Sequence, residues 1–170
     1  MKIIYLILFS IIFTSNSYSQ KFSTEKAGNC FSLEIPNYMT KAYDLNDASS
    51  LQYNNTFKEA YAIAIEDSKD ELKSLGMIFI NSKDFLENFT KDYQIESKNR
   101  KISEISEFES NENQHAQVEM TWNDEDGDFY MLITAVETNG HFYKILCWTL
   151  LEYKENLRDD YLTISKSLLD

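Results

Sequence analysis

At 170 residues the chain has the length of one ordinary domain, enough to bury a real core. Its 28 acidic against 16 basic side chains leave a net charge of −12, a surface that repels nucleic-acid phosphates and anionic lipid and suits basic partners or cations. Eleven tyrosines and eleven phenylalanines exclude a disordered chain, and one proline with four glycines offers no linker at which to divide it.

The N-terminus reads as an address. Lys2 precedes an apolar run from Ile3 to Phe13, and "TSNSYSQ" follows with small Ser17 and Ser19. Charge, apolar core and small residues in that order describe a secretory signal over residues 1–19, cleaved before Gln20. The apolar run of 11 residues is too short for a membrane span, which takes about 20. No cysteine stands at the cleavage point to carry a lipid. The expectation is a soluble exported protein, periplasmic or secreted, with a single domain over 20–170 and no stable membrane insertion. An oxidising compartment permits a disulfide between Cys30 and Cys147, but nothing in the sequence shows that the two meet.

The domain opens with a strand, "FSLEI", stopped by Pro36, which cannot donate to a ladder. "SLQYNN" follows a loop. "EAYAIAIED" then alternates large Tyr61, Ile63 and Ile65 with small Ala60, Ala62 and Ala64, as a strand does when its thin face lies under something closely packed. "SKDELKSLG" predicts a short helix ending on Gly76. "NSKDFLENFTKDYQIESK" predicts a longer one, capped by Asn81 with Asp84 three residues on and carrying Phe85, Phe89 and Tyr93 at intervals of four. "KISEISEFES" is acidic and suits an edge strand. In "HAQVEMTW", Ala116, Val118, Met120 and Trp122 share one face, while His115, Gln117, Glu119 and Thr121 share the other. "DFYMLITAVE" and "HFYKILCWTLL" are apolar on both faces and joined by a turn at Asn139-Gly140. Leu157, Tyr161, Ile164 and Leu168 form a stripe on a final helix.

These elements sum to an α+β domain, an antiparallel sheet packed with helices. The opening "FSLEIP", the middle helix, "YMLITAVETNGHFYKILCWT" and the closing "ISKSL" together resemble the PsbP/Mog-type fold. The resemblance covers most of the mature chain and implies an α/β/α sandwich. It also implies an accessory, assembly or partner-binding role, with no shared catalytic residues to carry over. The chain departs from the plant members in length and shows no cofactor signature, so no cofactor is expected.

Two acidic segments are the candidate partner contacts. "WNDEDGDFY" holds Asp124, Glu125, Asp126 and Asp128 between two strands. It reads as a solvated hairpin turn, with a basic-partner patch or a weak calcium site as the other readings. An EF-hand it is not: with Gly127 at the sixth position, Trp122 falls first and Ile133 twelfth. "SEISEFESNEN" carries Glu104, Glu107, Glu109 and Glu112, as edge protection or as a contact for a basic peptide. A third candidate is aromatic: Phe129, Tyr130, Phe142, Tyr143 and Trp148 lie on adjacent strands and would line a groove if one face stayed open.

Catalysis has little to stand on. His115, on the polar face of its strand, and His141, after a turn glycine, read as exposed side chains, and neither completes a triad or a metal set. Cys147 sits in an apolar strand, which dulls a thiol. The expectation is a non-enzymatic exported protein engaging an envelope or secreted partner. The alternatives are a carrier of a small apolar ligand, marked by an apolar cavity between sheet and helix, and a hydrolase built on paired carboxylates.

Overall fold

The computed structural model describes residues 21–28 and 30–170. The expected signal over residues 1–19 and its cleavage before Gln20 lie outside them. Ten strands and three helices follow in the order β1 (Phe22–Ala27), β2 (Phe31–Pro36), β3 (Thr40–Lys41), β4 (Leu51–Asn55), β5 (Ala60–Ser68), α1 (Lys69–Ser74), α2 (Ser82–Asp92), β6 (Lys98–Ile102), β7 (Ser106–Ser110), β8 (Asn113–Asn123), β9 (Asp128–Glu137), β10 (His141–Leu150) and α3 (Lys154–Lys166). β3 to β10 form one antiparallel sheet in the order β3-β4-β5-β10-β9-β8-β6, with β7 also paired to β8. β1 and β2 form a separate hairpin.

The sheet is the middle of three layers, and each face carries its own core. On one face Ala60, Ala62 and Ala64 of β5 are fully buried beneath Phe31, Leu33 and Ile35 of the hairpin and Leu157, Tyr161 and Ile164 of α3. The thin side of β5 lets that second layer come close, as its alternation predicts. On the other face α2 packs on β8, β9 and β10, with Phe85 and Leu86 buried over Ala116, Ala135 and Ile133. Truncating fully buried Leu86 to alanine would cost about 2–5 kcal/mol.

The helix ends follow local chemistry. Asn81 caps α2 by accepting from the Asp84 amide at 2.9 Å, while the Asp84 carboxylate accepts from the Ile80 amide at 2.9 Å. α1 closes on Gly76, whose φ of +77° suits glycine: the Gly76 amide donates to the Lys73 carbonyl and the Met77 amide to that of Leu72. β1 is not foreseen in the sequence, because four of the six residues of "FSTEKA" are polar and the segment is recruited by its partner β2. "KISEISEFES" is an edge as expected, but it is broken into β6 and β7, and both pair with β8.

His115 differs from the expectation. It is buried, not exposed, because its register partner Phe108 on β7 lies over its ring on the face that its alternation marks as polar. Its ring stacks on Phe108 at 4.9 Å and its Nδ1 lies 3.0 Å from the Asn113 carbonyl. A carbonyl only accepts, so Nδ1 carries the proton; Nε2 is buried without a partner. On the same face Gln117 donates to Thr134 Oγ1 at 2.7 Å and to Ser165 Oγ at 3.0 Å, which satisfies a buried amide between sheet and α3.

Burial pushes the His115 pKa down from 6.5, and the Asn113 carbonyl offsets this only in part. The folded state therefore binds fewer protons than the unfolded one. The stability that the neutral ring preserves is present above about pH 6.5 and is lost as pH falls below it. Between about pH 7 and pH 5 the Tm should fall in wild type and fall less in His115→Phe, which keeps the stack on Phe108. Parallel curves for the two proteins, followed by circular dichroism, would refute this account.

Candidate functional site

α2 is shorter than the sheet it covers. Across the face beneath it, Tyr61, Trp148, Met131 and Met120 form one row of register partners on β5, β10, β9 and β8. The row two residues further along pairs Phe129 with Trp122. Each row holds one stacked aromatic pair. Tyr61 stacks on Trp148 at 5.2 Å and 11°, and Trp122 on Phe129 at 5.3 Å and 13°. Tyr93, at the end of α2, meets Trp122 edge-on.

Where α2 stops, an apolar groove of about 310 Å³ remains between sheet and helix. Ile63, Leu146 and Met131 form its floor, Phe89, Tyr93 and Trp122 one wall, and Leu45 the other, with Trp148 at its end and Asn46 and Gln94 as polar points. Both tryptophans of the chain line it. The volume falls at the lower end of the range typical for ligand sites, roughly 300–1,000 Å³.

Each wall is pinned from elsewhere. Arg100 of β6 donates through Nη2 to the Thr90 carbonyl at 2.5 Å and through Nε to the Tyr93 carbonyl at 2.9 Å, tying down the last turn of α2. The Leu45 wall hangs on one buried side chain of β4. Gln52 Oε1 accepts from the Leu45 and Asn46 amides at 2.8 and 3.2 Å, and its Nε2 donates to the Asn46 carbonyl at 2.9 Å.

The five aromatics expected on adjacent strands divide. Trp148 lines the groove, Phe129 stacks beside it, and Phe142 lies on the same face against Phe85. Tyr130 and Tyr143 are on the opposite face, fully buried. Gln52, Leu45 and Ile63 were not legible as site residues. Their only local signal is a glutamine inside a strand.

The acidic candidates are not brought together. Asp124, Glu125, Asp126 and Asp128 are exposed around the β8–β9 turn, where the Asp126 amide donates to Asp124 Oδ1, Trp122 Nε1 to Asp124 Oδ2, and Asn123 to Asp128. Gly127, at φ +140°, closes that turn. Glu104 sits between β6 and β7, and Glu107 and Glu109 are exposed on β7, near the other end of β8, roughly 25 Å away at 3.4 Å per residue. Glu107 pairs with Lys83 at 3.2 Å, and Glu109 accepts from Gln114. Among the described residues, no group of three or more potential ligands is placed to hold a metal ion.

The cysteines are not bridged. Cys30 is exposed at the end of the first hairpin, while Cys147 is buried in the sheet and burial pushes its thiol up. Their segments stand in different layers, so the permitted disulfide is not made. His141 is half-buried rather than exposed, with Nε2 3.3 Å from Glu66 and Nδ1 3.6 Å from Asp170. Of the carboxylates, Asp160 is pushed up by burial, which the Tyr38 hydroxyl donating at 2.8 Å only partly offsets. Burial also pushes Glu119 up, but Lys154 at 2.8 Å and Arg158 at 2.7 Å outweigh it and hold the carboxyl below its ordinary value.

The class these features define is an antiparallel α+β sandwich with a helix-walled apolar groove. No protein-family model matches the sequence, and no curated protein matches it. Solved structures do. Cyanobacterial PsbP (CyanoP) from Synechocystis sp. PCC 6803 is similar with a TM-score of 0.59 at 11% identity, over 89% of this chain and 92% of that one. LpqN, involved in cell envelope biogenesis of Mycobacterium tuberculosis, is similar with a TM-score of 0.56 at 11% identity, over 87% and 89%. PA94 from Pseudomonas aeruginosa, a protein of unknown function, has a TM-score of 0.52 at 10% identity, over 88% and 96%. The likeness is one of fold: this chain has the PsbP-like fold. No helix among the described residues is long and apolar enough to cross a membrane.

Gln52→Leu keeps the side-chain volume of the groove's outer support but removes the acceptor of two amides and the donor to one carbonyl. It should destabilise the fold by about 1–3 kcal/mol and speed hydrogen exchange at the Leu45 and Asn46 amides above the general increase. Uniform acceleration over the whole sheet would show that Gln52 does not hold this wall in particular.

Proposed function

We propose that this is an exported accessory protein that works by binding, and that the groove beside α2 receives an apolar side chain of an envelope or secreted partner. The observation that carries this reading is the groove itself, where two tryptophans, a tyrosine and a phenylalanine surround an aliphatic floor. Trp and Tyr are the residues most enriched where partners bind tightly, and here they are held rigidly by stacking and by Arg100. The leader-like N-terminus supports export. The involvement of LpqN in cell envelope biogenesis supports an envelope setting. A second reading, a carrier of a small apolar ligand, is favoured by the groove's position between sheet and helix.

Three baits would be cross-linked to envelope extract: the chain from Gln20, its Trp148→Ala variant, and a variant with Asp124, Glu125, Asp126 and Asp128 neutralised to Asn or Gln. A partner that binds wild type and the neutralised variant, and binds Trp148→Ala weaker by about 2 kcal/mol or more, supports the groove. A partner lost only on neutralisation moves the contact to the acidic turn. A small apolar molecule released on denaturation and detected by mass spectrometry, with no protein partner, selects the carrier.

A further inference from the structure

The segment joining α1 to α2, residues 75–80, reads Leu-Gly-Met-Ile-Phe-Ile. Four of its side chains are in solvent: Leu75 is 74% exposed, Met77 42%, Ile78 75% and Ile80 85%. The segment is nonetheless fixed. Phe79 turns inward against Phe85 at 5.0 Å and Phe142 at 5.9 Å, so Ile78 and Ile80 on either side of it point out. The Met77 amide is tied to Leu72 and the Ile80 amide to Asp84. The protein therefore holds a patch on the order of 500 Å² of aliphatic surface in water, on the scale of patches that mark interaction sites.

We infer that this segment seats the protein on a lipid bilayer surface, with Leu75, Met77, Ile78 and Ile80 entering the boundary between headgroups and acyl chains. Three features select lipid over protein. The patch is smaller than the roughly 800 Å² that each partner gives to a stable protein interface. From Leu75 to Ile80 no side chain can form a hydrogen bond or orient a polar partner. The exposed residues are aliphatic or thioether, whereas protein-binding hot spots favour Trp, Tyr and Arg and under-use Leu.

Charge agrees. In a chain with 28 acidic residues, none lies between Glu71 and Asp84, and Lys73 and Lys83 flank the segment, Lys83 paired with Glu107 at 3.2 Å and Lys73 exposed to meet a lipid phosphate. Lys69 and Lys73 border the cleft beside Met77 and Ile78; Lys69 is paired with Glu137 at 2.7 Å, while Lys73 makes no ion pair among the described residues. The net charge of −12 opposes approach to an anionic surface, so the attachment relies on apolar burial and is expected on zwitterionic lipid. The described domain lies on the membrane surface.

The test is flotation of the chain from Gln20 with phosphatidylcholine vesicles; all the described elements lie within that chain, and it lacks the apolar leader. Wild type should float with the vesicles. The double variant Ile78→Asp, Ile80→Asp should partition about tenfold less or weaker, with Tm unchanged because both side chains are exposed. Phe57→Asp, at a residue 99% exposed on the β4–β5 turn, serves as the control and should float like wild type. Wild type that stays with the soluble fraction, or a double variant that floats equally well, overturns the inference. So does a wild-type dimer in analytical ultracentrifugation that the double variant abolishes, because the occupant would then be a second copy. Flotation and the groove's partner binding are read separately, so either can fail without the other.

Discussion

One antiparallel sheet covered on both faces is the constraint on which the rest of this structure depends. β8, β9 and β10 form its centre, so both sets of their alternating side chains must be buried, and polar ones among them need partners within reach. His115 takes the Asn113 carbonyl, Gln117 takes Thr134 and Ser165, and Glu119 takes Lys154 and Arg158. Those contacts also fix the place of α3, since Ser165, Lys154 and Arg158 all come from it. The polar face of β8 thus becomes the seam along which the last helix is fastened.

The two faces solve the covering problem differently, and the groove follows from the difference. One face is closed by a hairpin and a 13-residue helix packed over three alanines of β5. The other relies on α2, 11 residues long, or about 16 Å at 1.5 Å per residue. That length does not cover the sheet as far as Trp148 and Tyr61. There Tyr61 and Trp148 are only half-buried and stack on one another as register partners, and the loop at Leu45, held by Gln52, walls the site in from the far side. The result is a shallow apolar site built without a break in the sheet.

Charge is distributed to the same plan. The carboxylates of the β8–β9 turn and of β7 occupy a hairpin tip and an edge strand, where acidic side chains keep solvent contact and discourage pairing with another chain. Both segments still reach the α2 side, where Glu107 pairs with Lys83 of α2 and Asp124 accepts from Trp122, and the exposed apolar surface of that side lies at the two ends of the helix: the groove at its C-terminus and the aliphatic segment before its N-terminus. Both binding readings therefore fall on one side of the molecule.

Local physical chemistry was legible in the sequence. The alternation of β5 and β8, the two-sided apolar character of β9 and β10, the Asn81 cap, the Gly76 stop and the stripe on α3 each depend on residues within a turn or two of one another. Together they sufficed for an α+β fold, while the PsbP type rested on the resemblance of the quoted segments to that family. What only the tertiary structure decided is which faces meet. Gln117 reads as solvated because its cover comes from α3, 48 residues beyond it at Ser165, and His115 because Phe108 of β7 stacks on it. "FSTEKA" becomes a strand only because β2 pairs with it. The groove joins Leu45, Ile63, Phe89 and Trp148 from four separate segments, and its existence depends on where α2 stops relative to the sheet. Periodicity reports the faces of a single element; the burial of a face is set by a second element whose distance along the chain leaves no local mark.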